Sequence, residues 1–206
     1  MKVVKVSEVG FEEAVEKAVK TLIGGGIVVY PTETCYGLAA AIDDVEAVRR
    51  VYLVKRRPFS RPLTILVASI DMWYEYAYLT DEAMKLIKRF LPGPLTIVLW
   101  KKATVPDIVN PVRIGARISS HTLAQAMVKR LGKPVTATSA NIHGDKEPYS
   151  ITDVVRDVDL ILDFGELPRK PPSTIVDLTV KPPVIQRTYP HGSFTEEEIL
   201  RAISEG

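Results

Sequence analysis

Four cations crowd into seven residues at Lys55-Arg56-Arg57-Pro58-Phe59-Ser60-Arg61. The chain as a whole is nearly balanced, with 27 Lys+Arg against 25 Asp+Glu, so this knot of charge needs an anion of its own. Phosphate suits it best, because guanidinium groups offer paired N–H donors that match phosphate oxygens. Pro58 and Pro62 keep the segment out of helix and stiffen it, and a stiff cationic loop loses less entropy when it closes on a ligand. On charge alone, a solvated basic turn accounts for the run equally well.

Two further loops carry small polar groups behind buried strands. Tyr30-Pro31-Thr32-Glu33-Thr34-Cys35-Tyr36-Gly37-Leu38 offers hydroxyls, a carboxylate and a glycine where ligands of open α/β sheets sit, outside the strand ends. The alternative is a polar turn that caps the sheet. Thr136-Ala137-Thr138-Ser139-Ala140-Asn141 also follows a strand, and Ser139 and Asn141 suit a base, a ribose or a phosphate. Taken alone, it reads as an Asx or Ser/Thr turn.

Other chemistries find little support. The chain has no Walker A motif, Rossmann glycine fingerprint or protein-kinase motif set. Gly24 to Gly26 precede a strand rather than a helix, which makes a poor phosphate cradle. His121, His143 and His191 lack metal-ligand spacing. Cys35 has no adjacent base and reads as a packed thiol, and Ser139 lacks the glycines of a nucleophile elbow.

The elements that must hold these loops are legible from periodicity and caps. Apolar spacing predicts a helix over 11–23, ended by the glycines. Further helices are expected after Asp44 to Val54, over 81–90 behind Thr80, over 122–131 before Gly132, over 151–158, and over 196–203 behind Thr195. Strands are expected over 27–30, 63–68, 95–100, 113–118, 134–138, 159–163, 174–178 and 184–188. Helices alternate with strands early and strands cluster late, which predicts an α/β domain with a mixed, twisted sheet.

At 206 residues, one domain spanning 1–206 is expected. The N-terminus is too short and too interrupted for a signal peptide, and no apolar run approaches the roughly 20 residues of a membrane span. A single cysteine and ordinary composition fit a reducing, cytoplasmic setting. A net charge of +2 argues against a bulk nucleic-acid binder while leaving room for a local basic face.

The loops, in their order, resemble the YrdC/YciO family, the threonylcarbamoyl-AMP synthases. The matching pieces are Pro31-Thr32-Glu33-Thr34-Cys35-Tyr36-Gly37-Leu38, Lys55-x-Arg57-Pro58 with Pro62-Leu63, Pro92-Gly93-Pro94-Leu95-Thr96, Arg117 with His121, Thr138-Ser139-Ala140-Asn141, and Pro172-Ser173-Thr174-Ile175. The resemblance implies a single α/β domain with a concave basic face and no added C-terminal domain. It implies that L-threonine, bicarbonate and ATP, the last with Mg²⁺, give threonylcarbamoyl-AMP and pyrophosphate. A separate tRNA threonylcarbamoyl transferase machinery would consume the product, and contact with tRNA or double-stranded RNA is an expectation of the same kind.

By this similarity Lys55 and Arg57 are the catalytic pair on the triphosphate, and Ser139, Asn141 and Arg187 also contact ATP. Thr32, Arg117 and Ser173 hold threonine, with Arg117 on its carboxylate. Without the resemblance, Arg117 in its apolar strand would pair with a core carboxylate, Ser173 would be a turn residue and Arg187 an exposed strand residue. One departure concerns Arg187: the family places glycine two residues later, where this chain has Tyr189, whose side chain is expected to crowd a close backbone approach. A YciO-like paralogue with other nucleotide chemistry and a non-catalytic RNA-binding module are the rival readings.

Overall fold

The computed structural model describes residues 1–205 and places eleven strands and seven helices among them. In chain order they begin β1 (Lys2–Lys5), α1 (Val6–Val9), α2 (Phe11–Ile23), β2 (Val28–Pro31), β3 (Tyr36–Ala39), α3 (Val45–Val54), β4 (Ile65–Leu66), α4 (Ile70–Tyr74) and α5 (Asp81–Phe90). They continue β5 (Leu95–Trp100), β6 (Arg113–Arg117), α6 (Thr122–Leu131), β7 (Val135–Thr136), β8 (Thr138–Ser139), β9 (Leu160–Asp163), β10 (Thr174–Asp177), β11 (Val184–Gln186) and α7 (Glu196–Ser204).

Helix boundaries follow local chemistry. Asp44 accepts from the Ala47 N–H at 2.9 Å and opens α3, Thr80 does the same for α5, and Thr195 with Glu198 forms a capping box on α7. Gly132 closes α6 at φ 74°, a conformation cheap only for glycine.

The strands form two mixed sheets rather than the one expected. The first runs β1-β9-β2-β3-β8 and the second β11-β10-β5-β6-β4-β7. The stretch expected as a single strand over 134–138 divides between them: β7 pairs with β4 in the second sheet, and β8 pairs with β3 in the first. Ala137 is the crossing point, with its N–H on the Thr64 carbonyl and its own carbonyl accepting from the Thr64 hydroxyl. Buried Thr136 laces the seam, accepting from the Ala40 N–H and donating to the Leu38 carbonyl. Ser139 and Asn141 are thereby delivered to the line where the sheets meet.

Two apolar clusters lie on either side of the first sheet. One sits beneath α2 and α6 around Ala14, Ala18, Leu22, Leu123 and Met127. The other starts from the opposite face of that sheet, at Val29 and Leu38, and takes in Tyr52 of α3, Trp73 of α4, Leu86 of α5 and Ile97 of β5.

The expected helix over 151–158 does not form. Ser150 draws the Thr152 N–H and hydroxyl onto its own oxygen, and the Val155 N–H goes to the Ala140 carbonyl, so side-chain and cross-chain bonds outcompete the helical ladder. Its valines, Val154, Val155 and Val158, are buried all the same. The expected strand over 63–68 pairs only at Ile65 and Leu66. β1, β3 and the short helices α1 and α4 are additions to the expected set.

Candidate active site

A cavity of about 450 Å³ opens at the seam of the two sheets. Thr32, Lys55, Arg57, Arg117, Ser139, Asn141, Ser173 and Arg187 all line it. They come from the β2–β3 loop, the end of α3 and the loop after it, β6, the β8 strand and loop, and the segments before β10 and after β11. Residues read from separate motifs thus share one wall.

Lys55 caps the C-terminus of α3 and points inward, only 1% exposed. Its Nζ donates to the Ser139 carbonyl at 2.5 Å and the Asn141 carbonyl at 2.7 Å, with Asn141 Oδ1 at 3.3 Å. Burial, then the charge of Arg57, lowers its pKa to about 8, while three oxygen acceptors favour the ammonium. Asn141 continues the brace, accepting from the Ser139 hydroxyl at 2.6 Å and donating to the Asp145 and Lys146 carbonyls. The lysine therefore positions the Ser139–Asn141 loop.

Arg57, half-buried, organises the basic loop itself. Its Nε donates to the Arg61 carbonyl at 2.8 Å and Nη2 to the Pro62 carbonyl at 2.9 Å, and Nη1 lies 3.2 Å from His143 Nδ1. Three of five guanidinium N–H groups are used, leaving two for a ligand. Burial, then the charges of Arg57, Arg61 and Lys55, holds His143 below its usual pKa, in keeping with a neutral ring that accepts from Arg57. The turn into the loop sets Arg56 at φ 50°, a left-handed conformation unusual for a non-glycine residue.

Arg117, 8% exposed, donates from Nη1 to Glu33 Oε1 at 2.5 Å. The core carboxylate that its apolar strand called for is thus a loop residue of the β2–β3 turn. Ser119 bonds the other oxygen of Glu33. Thr32 shapes this turn: its hydroxyl donates to the Cys35 carbonyl at 2.6 Å and accepts from the Thr34 and Cys35 N–H groups. Ser173 shares a 2.9 Å hydrogen bond with Thr96 of β5. Cys35 is buried, and burial pushes its thiol up to about 11, which keeps it protonated and a poor nucleophile.

Arg187 has φ 52° and makes no side-chain hydrogen bond or ion pair among the described residues. Arg187 is exposed; desolvation by the protein around its guanidinium, then the charge of Arg117, lowers its pKa, so its charge would gain from an anion. The crowding expected of Tyr189 is absent, since that side chain is 64% exposed. Close approach is provided by Gly192, where an added Cβ would lie 1.4 Å from the Arg187 carbonyl oxygen.

Glu33 and Tyr30 are the site residues that sequence reasoning did not single out. A carboxylate in a strand-end loop together with an arginine inside an apolar strand was the available signal for the first. Asp145 and Glu147 also line the cavity, but the described residues contain no cluster of three metal-ligating side chains. A magnesium ion carried by a triphosphate needs only one or two protein carboxylates, so this wall is compatible with a metal that arrives with its nucleotide. No described helix is long and apolar enough to cross a membrane.

Comparison with known proteins gives a consistent picture. The Sua5/YciO/YrdC family model, described as telomere recombination, matches residues 20–188. A Methanocaldococcus jannaschii protein with a provisional threonylcarbamoyl-AMP synthase name is 40% identical over 185 residues, covering 86% of this chain and 87% of the relative. The threonylcarbamoyl-AMP synthase of Pyrococcus abyssi is 38% identical over 188 residues, 88% of this chain, and the match spans only 54% of the relative. The crystal structure of P. abyssi Sua5 complexed with L-threonine superposes with a TM-score of 0.90 at 35% identity, covering 100% of this chain and 62% of that one. Escherichia coli YciO, of uncharacterised function, is 32% identical over 85% of this chain and 89% of its own length, and its crystal structure aligns over 84% of this chain and 88% of that one at a TM-score of 0.76 and 30% identity.

Proposed function

The chain belongs to the Sua5/YciO/YrdC family, and from that premise we propose that it is a threonylcarbamoyl-AMP synthase, a nucleotidyltransferase that makes threonylcarbamoyl-AMP and pyrophosphate from L-threonine, bicarbonate and ATP. The observation that carries the reading is one cavity with two kinds of anion grip. Arg57, Arg187 and Arg117 all line it, with Lys55 bracing the Ser139–Asn141 loop and Glu33 holding Arg117.

The threonine amine attacks the bicarbonate carbon, water leaves, and a carbamate forms. A carbamate oxygen then attacks the α-phosphorus and pyrophosphate departs. Such a transfer needs positioning and charge stabilisation rather than a covalent enzyme intermediate, and a protonated Cys35 is in keeping with that. Arg57 and Arg187 would hold the triphosphate of MgATP, with Ser139 and Asn141 on the nucleotide. Lys55 would serve the same wall by fixing their loop. Thr32, Arg117 and Ser173 would seat threonine, Arg117 on its carboxylate. The cavity's depth would protect the carbamate and the mixed anhydride from water. In the cytoplasm the threonylcarbamoyl group would pass to tRNA through a separate transferase machinery, and the exposed Arg56 and Arg61 would face an approaching RNA.

The test is pyrophosphate release by the purified chain with MgATP, with and without L-threonine plus bicarbonate, alongside mass detection of threonylcarbamoyl-AMP. Release that requires both co-substrates, with the adduct present, is the expected result. ATP binding without adduct would move the assignment to a YciO-like activity. Salt-dependent RNA binding with indifference to ATP and threonine would make the chain a non-catalytic RNA module.

A further inference from the structure

His143 lines the cavity, and the proposed reaction leaves it without a role. Its imidazole meets the site through one contact, with Nδ1 3.2 Å from Arg57 Nη1. That contact fixes the proton. A guanidinium has donors and no acceptor, so Nδ1 accepts, and the ring is the neutral tautomer with its hydrogen on Nε2. Burial, then the charges of Arg57, Arg61 and Lys55, favours the same uncharged form.

The origin of this acceptor separates it from the other two. Those are the carbonyls of Arg61 and Pro62, four and five residues along the same loop. They shape the guanidinium against its own loop and move with it. His143 lies 86 residues away in sequence, in the loop that follows β8. Among the described residues it is the sole hydrogen-bond acceptor that Arg57 takes from outside the basic loop. The loop after β8 is itself well held. The His143 N–H donates to the Lys55 carbonyl at 2.8 Å, at the end of α3. Lys55 Nζ reaches back to the Ser139 and Asn141 carbonyls, and Asn141 donates to the Asp145 and Lys146 carbonyls on the far side of His143. The imidazole thus stands on a braced backbone, and its bond sets Arg57 relative to Ser139 and Asn141. Arg57 and those two residues are the proposed grips on one nucleotide. A guanidinium already held at the right distance from the other grip loses less freedom when the ligand binds.

We propose that His143 is a positioning residue for the nucleotide site: its ring accepts from Arg57, locks the basic loop to the loop after β8, and so presents Arg57 to the phosphates of ATP. This rests on the reading of the cavity as the ATP site of a synthase.

The experiment is calorimetric titration of the α,β-methylene analogue of ATP, with Mg²⁺, into wild type, His143→Ala, His143→Asn, Arg57→Ala and the combination of His143→Ala with Arg57→Ala. Thermal unfolding of each ligand-free protein accompanies it. Loss of a hydrogen bond to a charged group should weaken binding by His143→Ala about tenfold. Asparagine places an amide oxygen near the Nδ1 position, so His143→Asn should recover most of that loss. In the Arg57→Ala background the same histidine substitution should cost less than about twofold, because the group it acts through is gone. His143→Ala should melt within a few degrees of wild type. Equal affinity of wild type and His143→Ala, or a His143→Asn that binds no better than His143→Ala, would overturn this inference alone. The same loss in both backgrounds would also overturn it, by making His143 a direct contact to the nucleotide. A melting temperature far below wild type in both histidine variants would overturn it by making the ring structural. A wild type that does not bind the analogue would overturn the nucleotide reading of the cavity, and this inference with it.

Discussion

Lys55 and Arg57 stand two residues apart and use their charge differently. The lysine spends its three donors on oxygens of Ser139 and Asn141, whereas the arginine keeps two donors for a ligand. Lys55→Met should therefore lose both activity and stability, because each orphaned buried acceptor costs about 1–3 kcal/mol. Arg57→Ala should lose most activity and melt within a few degrees of wild type. Pyrophosphate assays paired with thermal melts check this, and a Lys55→Met protein that melts like wild type would contradict the brace. Burial lowers the Lys55 pKa from 10.5 to about 8. Between those values the unfolded chain holds a proton that the folded chain has released, so this group's contribution to stability rises with pH from about 8 to 10.5. Below pH 8 the cost of burying the charge is present in full. Urea midpoints of wild type relative to Lys55→Met should accordingly diverge in favour of wild type as pH rises through that window. The Glu33–Arg117 pair makes a second case, with both side chains about 10% exposed. Glu33→Gln leaves Arg117 buried without its counter-charge and should cost about 3 kcal/mol in urea unfolding. It should also raise the KM for L-threonine, since Arg117 is no longer held. Unchanged stability and KM would mean that Glu33 does not position it.

At the scale of elements, the site depends on β3 running close against β2. Gly37 permits this, and Gly37→Ala should destabilise the chain by about 1–3 kcal/mol because the buried Tyr30 ring has nowhere to move. A melt that matched wild type would show that the sheet has slack there. Elements with their own punctuation were legible in advance. α2, α3, α5 and α6 run as their apolar spacing and caps predicted, because a helix satisfies its backbone within itself. β5 was equally clear as a run of six apolar or β-branched residues between turn signals. β1 was not, since Lys-Val-Val-Lys is a strand only because β9, some 158 residues later, pairs with it in parallel. The 151–158 segment failed in the other direction: its valines have helical spacing, but its backbone bonds are made to Ser150 and Ala140.

For the whole molecule, the division of 135–139 between two sheets makes the cavity a seam rather than a surface groove. A ligand bound there touches both halves. MgATP at a hundred times its Kd should stabilise the fold by about 2.7 kcal/mol, raising the melting temperature by several degrees in one cooperative transition. Two transitions, one insensitive to nucleotide, would show that the sheets unfold separately. The order of the loops, the cationic run and the helices that hold them were set by the sequence, because charge, caps and 3.6-residue periodicity act over a few neighbours. Tertiary structure alone decided that Lys55 turns inward, that Arg117 finds Glu33 across 84 residues of chain, that Ala137 is the crossing between sheets, and that the Tyr30 oxygen is left unpaired. These are matters of which distant groups meet, and local pattern does not encode them: each depends on closing long loops at an entropic cost that only the assembled core repays.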